Sequence, residues 1–334
     1  MEISTVPVNF VRALLEAAER KGCAVEELLR HVQISPELVA EDKARIPAEQ
    51  YSALVEQIST ELQDEYCGLV DQRVKPGSFA MMCYACIHCA TLEQFLLRAN
   101  EYHAIVTDCS SLSLQREGDS ARLVFTPHEG TVDPHQLLTM SLLAIAHRLA
   151  SWTIGQNISL DAVNLNHSRP AHAAAYNLLF RAPIHFDRTE NSITFNANYL
   201  DMPIVQDEQS LEKFLHHRGA RLMASPDNRN SHVAMVINLV KANVAGDFPE
   251  FEWVARELHT SIGTLRRRLR EEGTSYQQLK DDLRRDTAIF NLTRGKSTIE
   301  EVAESIGFSE PTSFFRAFKR WTGVTPRAYI ARER

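Results

Sequence analysis

No run in this 334-residue chain approaches the roughly 20 uninterrupted apolar residues that a membrane-crossing helix requires. No H-E-x-x-H zinc motif, G-x-S-x-G nucleophile elbow or glycine-rich phosphate loop occurs either. Cysteine is absent beyond Cys109, and all six thiols (Cys23, Cys67, Cys83, Cys86, Cys89 and Cys109) fall in the first third. A chain of this length does not depend on disulfide staples, so reduced thiols are expected. The first residues read as an amphipathic helix carrying acids, which predicts a cytoplasmic protein with no membrane partner.

What is present is the balance of a globular chain, 44% hydrophobic and 24% charged. At about 150 residues per domain the length predicts two domains. The run between Gly219 and His232 has few large apolar residues and the turn formers Ser225, Pro226, Asp227 and Asn228. It divides the chain into a first domain over 1–222, a linker over 223–231 and a second domain over 232–334. The formal charge of -7 divides unevenly, with -10 over residues 1–230 and +3 over 231–334. Positive charge gathered in one part is the footprint expected of nucleic-acid contact, although +3 alone is weak evidence.

Apolar spacing predicts helices over Val8–Val32 and Pro47–Leu62, and again over Gly77–Asn100, with Thr91 as a cap. The period then shortens. Leu112 and Leu114, then Leu123 and Phe125, alternate around a polar turn at Glu117–Ser120 and predict a hairpin. A long helix is expected within Asp133–Gly155, strands at Ile158–Asn166 and Ser192–Asn198, and a helix at Ala171–Phe180 between them. The first domain therefore reads as α+β and the second as all-α, with two helix-turn-helix units joined by a long helix.

Those two units carry the functional signal. Asp247 and Glu250 form a capping box for a first helix that buries Val254, Ala255 and Leu258. Ser261 caps a second that buries Ile262, Leu265 and Leu269 and presents Gly263, Thr264, Arg266, Arg267 and Arg270 outward. About fifty residues on, Ser297 and Glu300 cap a helix, Gly307 supplies a turn of positive φ, and Ser309 caps a helix burying Phe314, Phe318 and Trp321. Its outer face carries Thr312, Ser313, Arg316, Lys319 and Arg320. Ser275–Leu292 reads as one helix about 27 Å long between the units, against about 34 Å between successive major-groove faces. One arginine on a helix is usually just solvated; two capped units with donor-rich faces point instead to double-stranded operator DNA.

The run IGFSEPTSFFRAFKRWTGVTP, with EWVARELHTSIGTLRRRLREEGTSYQQLKDDLRRDTAIFNL before it, closely resembles the AraC family of transcription regulators. The resemblance implies two recognition helices in adjacent major-groove segments, with Arg266 and Arg267 in the first and Thr312 and Arg316 in the second as base-edge readers. The chain departs from the family pattern at His259, where Gly is frequent, and at Ile330, where Arg commonly follows the final Tyr. Upstream, RIPAEQYSALVEQ, KPGSFAMMCYACIHCATLEQFLLRANEY and VNLNHSRPAHAAAYNLLFRAPIHFD resemble the effector domain of the subgroup with an arabinose-binding-like N-terminus. That implies a small-molecule effector, with fatty acids and amino acids as the classes considered, a homodimer formed through the first domain, and contact with RNA polymerase.

Phe79, Met82, Tyr84 and His88, with Met81, Ile87 and Phe95, are candidates to line an effector cavity, although apolar stripes at helical spacing usually fill a core. Cys83, Cys86 and Cys89 form C-x-x-C-x-x-C, which suggests a metal or iron-sulfur sensor with Cys67 or Cys109 as a further ligand. No second ligand pair follows at zinc-site spacing, so compact hydrophobic packing is the expectation, with no metal and no cofactor. His167, His172 and His185 lie near acids and serines and keep open an N-terminal enzyme domain, but without a catalytic motif a non-enzyme is expected.

Overall fold

A computed structural model describes residues 5–108, 110–128, 133, 136–170, 173, 176, 179–180, 182–216, 232–243, 248–272, 274–295 and 297–330. In chain order its elements begin with β1 (Thr5–Pro7), α1 (Val8–Arg20), α2 (Val25–His31), α3 (Pro36–Ala40), β2 (Arg45–Pro47), α4 (Ala48–Leu62), α5 (Ser78–Cys86) and α6 (Leu92–Val106). The strands β3 (Ser110–Glu117) and β4 (Ser120–Pro127), α7 (Leu137–Thr153), β5 (Leu160–Asn164), β6 (Ile184–His185), β7 (Asn191–Asn196) and α8 (Glu208–His216) follow. The C-terminal helices are α9 (His232–Asn243), α10 (Phe251–Glu257), α11 (Ile262–Glu271), α12 (Tyr276–Arg294), α13 (Ile299–Ser305), α14 (Pro311–Thr322) and α15 (Pro326–Ile330). The expected linker over 223–231 and most of the expected helix Ala171–Phe180 lie outside the described residues.

The chain forms two compact units, and they do not divide at one point in the sequence. One contains 13–25 and the described residues from 52 to 216; the other contains 5–12, 26–51 and those from 232 to 330.

The first of these is built on a five-stranded sheet in the order β3-β4-β7-β5-β6. β3 and β4 form the expected hairpin, closing at Glu117↔Ser120. β7 pairs antiparallel with both β4 and β5, and β6 adds to the far edge in parallel. α7 packs on β4 and β7 and buries Leu138, Met140 and Leu143, while Leu123, Phe125, Ile193 and Phe195 are buried on those strands. Asp133 begins this helix by accepting from the Leu138 and Thr139 amides at 2.8 and 2.9 Å, so the acid serves orphan donors of the first turn. Thr91 caps α6 as expected by accepting from the Gln94 amide.

His147 of α7 is buried, and its Nε2 lies 2.7 Å from the Ile158 carbonyl. A carbonyl only accepts, so Nε2 carries the proton; among the described residues Nδ1 has no partner. Burial first, opposed by that hydrogen bond, holds the imidazole down at about 4. The unfolded chain protonates near 6.5, so this residue contributes stability above that pH and the contribution is lost as pH falls toward 4, on the order of 3 kcal/mol in all. His147→Gln keeps a donor for Ile158 and does not titrate there. Thermal unfolding scanned between pH 7 and 4.5 should therefore show a shallower acid decline in this variant than in the wild type.

In the other unit β1 and β2 pair antiparallel, Val6 opposite Ile46, beside the C-terminal helices. Neither three-residue strand is long enough to show a period, and sequence periodicity therefore reads this end of the chain as helix throughout. The expected long helix Val8–Val32 is also two, because Gly22 at φ +94° ends α1 before α2 begins.

Candidate nucleic-acid interface

Two helix pairs, α10–α11 and α13–α14, carry the predicted readers. Their turns have the same construction. His259 adopts φ +50° and Gly307 φ +78°, and the next amides, Thr260 and Phe308, each donate at 3.0 Å to the carbonyl five residues back, Ala255 and Ala303. A left-handed residue is required at this point of the turn. Gly307 adopts that conformation without strain, whereas His259 reaches it as a non-glycine residue.

Beyond the turns the caps differ from part of the sequence reading. Ser261 caps α11 as expected, accepting from the Thr264 amide at 3.1 Å. The second unit's box is Thr298 with Glu301, not Ser297 with Glu300; the run STIEE fits the motif in two overlapping frames, and the hydroxyl that reaches the N3 amide is that of Thr298. α14 starts from Glu310 rather than Ser309, with Pro311 presetting the first helical φ. Glu250 is itself the N-cap of α10 and makes no side-chain cap bond; Asp247 lies outside the described residues.

Both recognition helices bury one stripe and expose the other. Leu265 and Leu269 are buried in α11, Phe314, Ala317 and Phe318 in α14. Ile262 and Trp321, expected inside, are only half-buried, and Trp321 packs edge-on against Phe308 at 6.0 Å. Arg266, Arg267 and Arg270 are exposed on α11, with Thr264 half-buried; Thr312, Ser313, Arg316 and Lys319 are exposed on α14. Counted from the caps Ser261 and Glu310, the two helices coincide. Leu265 matches Phe314, Leu269 matches Phe318, Arg267 matches Arg316 and Arg270 matches Lys319. Arg267 makes a loose i,i+4 pair with Glu271 at 3.6 Å, which in water is worth little. Arg266 lies over the Phe251 ring at 5.7 Å. Among the described residues Arg270, Arg316 and Lys319 have no ion pair.

α12 has 19 residues, roughly 28 Å, between its cap Ser275 and the left-handed Gly295. Its Arg284 ties the two units together, a role the sequence reading missed. The guanidinium lies over Phe248 at 4.9 Å and Phe308 at 5.2 Å, while Nε donates to the Ile306 carbonyl at the end of α13. Phe248 precedes the first unit and Phe308 sits in the turn of the second.

The candidate effector residues are less concentrated. Cys83, Cys86, Ile87 and Cys89 are buried at α5 and just beyond it; Phe79 and Met82 are half-buried, and Tyr84 and His88 are exposed, His88 paired with Glu208 at 2.9 Å. The thiol spacing follows the buried stripe, which leaves Tyr84 and His88 on the opposite face. Burial raises Cys86 to about 12 and Cys89 upward, against Arg98, so both stay as neutral thiols. His167 Nδ1 lies 2.9 Å from the Ser168 carbonyl; His172 and Cys109 lie outside the described residues.

A family model described as the arabinose-binding domain of AraC transcription regulator, N-terminal, matches residues 22–204, more than half of the chain, and a helix-turn-helix domain model matches 254–332. The chain belongs to the AraC family of transcription regulators. Its two helix-turn-helix units are accordingly the DNA-binding part of a regulator whose N-terminal domain is of the ligand-binding type. The family's relatives include the ornithine utilization regulator of Pseudomonas aeruginosa, 27% identical over 325 residues and covering 97% of this chain and 96% of that protein. An uncharacterized HTH-type transcriptional regulator of Mycobacterium tuberculosis is 28% identical over 345 residues, covering 98% and 96%. The crystal structure of transcriptional regulator CdpR from Pseudomonas aeruginosa covers 91% of this chain and 96% of that one at 23% identity and a TM-score of 0.35. Among the described residues no helix is long and apolar enough to cross a membrane.

Proposed function

We propose that this AraC-family regulator reads two adjacent major-groove segments of an operator, with Arg267 and Arg316 as the principal base readers. The observation that carries the reading is their equivalence: each stands six residues after its N-cap, exposed, on a helix whose opposite stripe is buried at matching positions. Arginine at such a place offers a bidentate contact to guanine O6 and N7. Thr264, Arg266 and Arg270, then Thr312, Ser313 and Lys319, supply the flanking base and phosphate contacts.

The sheet-bearing part is a sensor and not an enzyme, which is supported by relatives that are named as transcription regulators. The effector class supported best is an amino acid, on the strength of the ornithine utilization regulator, which aligns over nearly the whole chain. The protein works in the cytoplasm as a homodimer and acts on RNA polymerase at the promoter; Leu97 and Ile105, exposed eight residues apart on α6, support self-association. Effector binding shifts the population between arrangements that differ in operator affinity, since a ligand acts only through differential affinity for two states.

Thermal shift of the full chain with ornithine, arginine, oleate and arabinose tests the effector class, because a ligand at about 100 times its Kd adds about 2.7 kcal/mol of stability. Ornithine or arginine should raise the midpoint and change operator affinity. Stabilisation by oleate alone would overturn the amino-acid assignment.

A further inference from the structure

Four charged side chains are packed together in the unit that carries the recognition helices. Arg45 of β2 is only 7% exposed, and its Nε and Nη2 each donate at 2.7 Å, to the hydroxyl and the carbonyl of Thr5. The Thr5 hydroxyl passes the interaction on, donating to Asp286 of α12 at 2.7 Å, and Arg45 itself is 3.9 Å from that carboxylate. Arg285 closes the cluster through Asp286 at 3.0 Å and Asp282 at 2.7 Å. Two cations face two anions, so the set is neutral as a whole. The buried Tyr329 of α15 donates its hydroxyl to the Arg45 carbonyl, and its ring meets Phe318 of the second recognition helix edge-on at 5.4 Å.

Two further contacts have the same reach. Glu49 pairs with Arg294 at the end of α12, at 3.7 Å. Glu41 lies against Gly323, the left-handed cap that ends α14; a Cβ there would collide with the Glu41 carboxyl group. The N-terminal segment thus meets the connecting helix at two places, the end of the second recognition helix and the helix after it. None of these contacts covers Thr312, Ser313, Arg316 or Lys319, which remain exposed.

A segment held this way immobilises the readers without blocking them. We propose that residues 5–12 and 26–51 are a constitutive part of the DNA-reading unit, and that Arg45 is a positioning residue: its guanidinium holds β2 to Asp286 of α12, so that its main-chain carbonyl holds Tyr329 in place against Phe318 of α14, which sets the operator spacing. The inference rests on the reading of Arg267 and Arg316 as base readers. Its physical basis is that a half-buried ionic network around a buried guanidinium has few satisfactory geometries. A shift of β2 along α12, and with it of the Tyr329 that packs on Phe318 of α14, separates charges that are only partly reached by solvent. Apolar packing alone tolerates small slides at lower cost.

The test uses the full chain and the operator that the wild type selects, together with the same operator carrying one base pair inserted between the two segments. One base pair displaces the second segment by about 3.4 Å and rotates it by about 35°. The wild type should lose about tenfold or more in affinity on the inserted site, the size of a single lost base contact. Arg45→Met should bring the two sites to within about threefold of one another by weakening the native site, and Arg45→Lys should restore part of the discrimination. Where Arg45→Met leaves Asp286 too poorly compensated to fold, Arg45→Met with Asp286→Asn keeps the cluster neutral and gives the same readout. Wild-type spacing discrimination in a folded variant would reduce Arg45 to a scaffold residue and overturn the proposal. Tighter binding by the variant would also overturn it, since the segment would then be a blocking contact. A wild-type selection without two segments would instead remove the reading on which the inference stands.

Discussion

Arg316→Ala should weaken operator binding by roughly 5- to 150-fold, the equivalent of the 1–3 kcal/mol that one bidentate guanine contact supplies. The loss should fall on one base position and leave the others selective. Arg316 is exposed on a helix anchored by the buried Phe314 and Phe318, so truncating it removes a donor fork without opening the core. Lys319→Ala separates the two kinds of contact. One turn further along α14 and exposed, Lys319 is suited to a phosphate; its removal should weaken all sequences alike and lower the slope of log K against log salt by about 1. Fluorescence anisotropy on a set of single-base operator variants at three salt concentrations distinguishes them. A uniform loss for Arg316→Ala would assign it to the backbone.

Phe318→Ala should destabilise the DNA-binding unit by about 3–5 kcal/mol, a large part of the stability of an ordinary domain. The ring is fully buried between Phe314, at 5.6 Å, and Tyr329, at 5.4 Å. A shared aromatic cluster of this kind cannot collapse around a missing ring without moving the helix that carries Tyr329. Urea unfolding followed by far-UV circular dichroism gives the size; a loss below about 1 kcal/mol would mean that the site relaxes freely.

Features written within a few residues of each other were legible in the sequence. Thr91 and Ser261 cap their helices because a hydroxyl and the amide three positions on are neighbours in any helix start. The hairpin at 110–127 and the positive φ of Gly307 have the same local character. Errors of frame arose where two local solutions compete, as in STIEE, or where Pro311 fixes a helix start one residue later than the nearest serine suggests. Inside and outside were legible for the recognition helices down to Leu265, Leu269, Phe314 and Phe318. They were not legible for Trp321, whose size lets it lie half across the edge of the core.

Relations between distant segments were not legible. Arg45 reads as one charge in a polar stretch until β1 and β2 bring it to Asp286, and no periodicity marks three-residue strands. Nothing local singles out Arg284 on α12; its two aromatic neighbours, Phe248 and Phe308, are distant from it in sequence. The candidate effector residues show the same limit in reverse. Phe79, Met82, Tyr84 and His88 were candidates to line a cavity by residue type, but only packing decides which side of α5 faces the core, and the thiols occupy it.

The central claim is that two equivalent helices read two segments of one DNA face. Random-site selection with the wild type, Arg267→Ala and Arg316→Ala tests it most directly. Two selected blocks about 10 base pairs apart are expected, with Arg267→Ala relaxing a position in one block and Arg316→Ala a position in the other. A single selected block, or both variants relaxing the same position, would contradict the account.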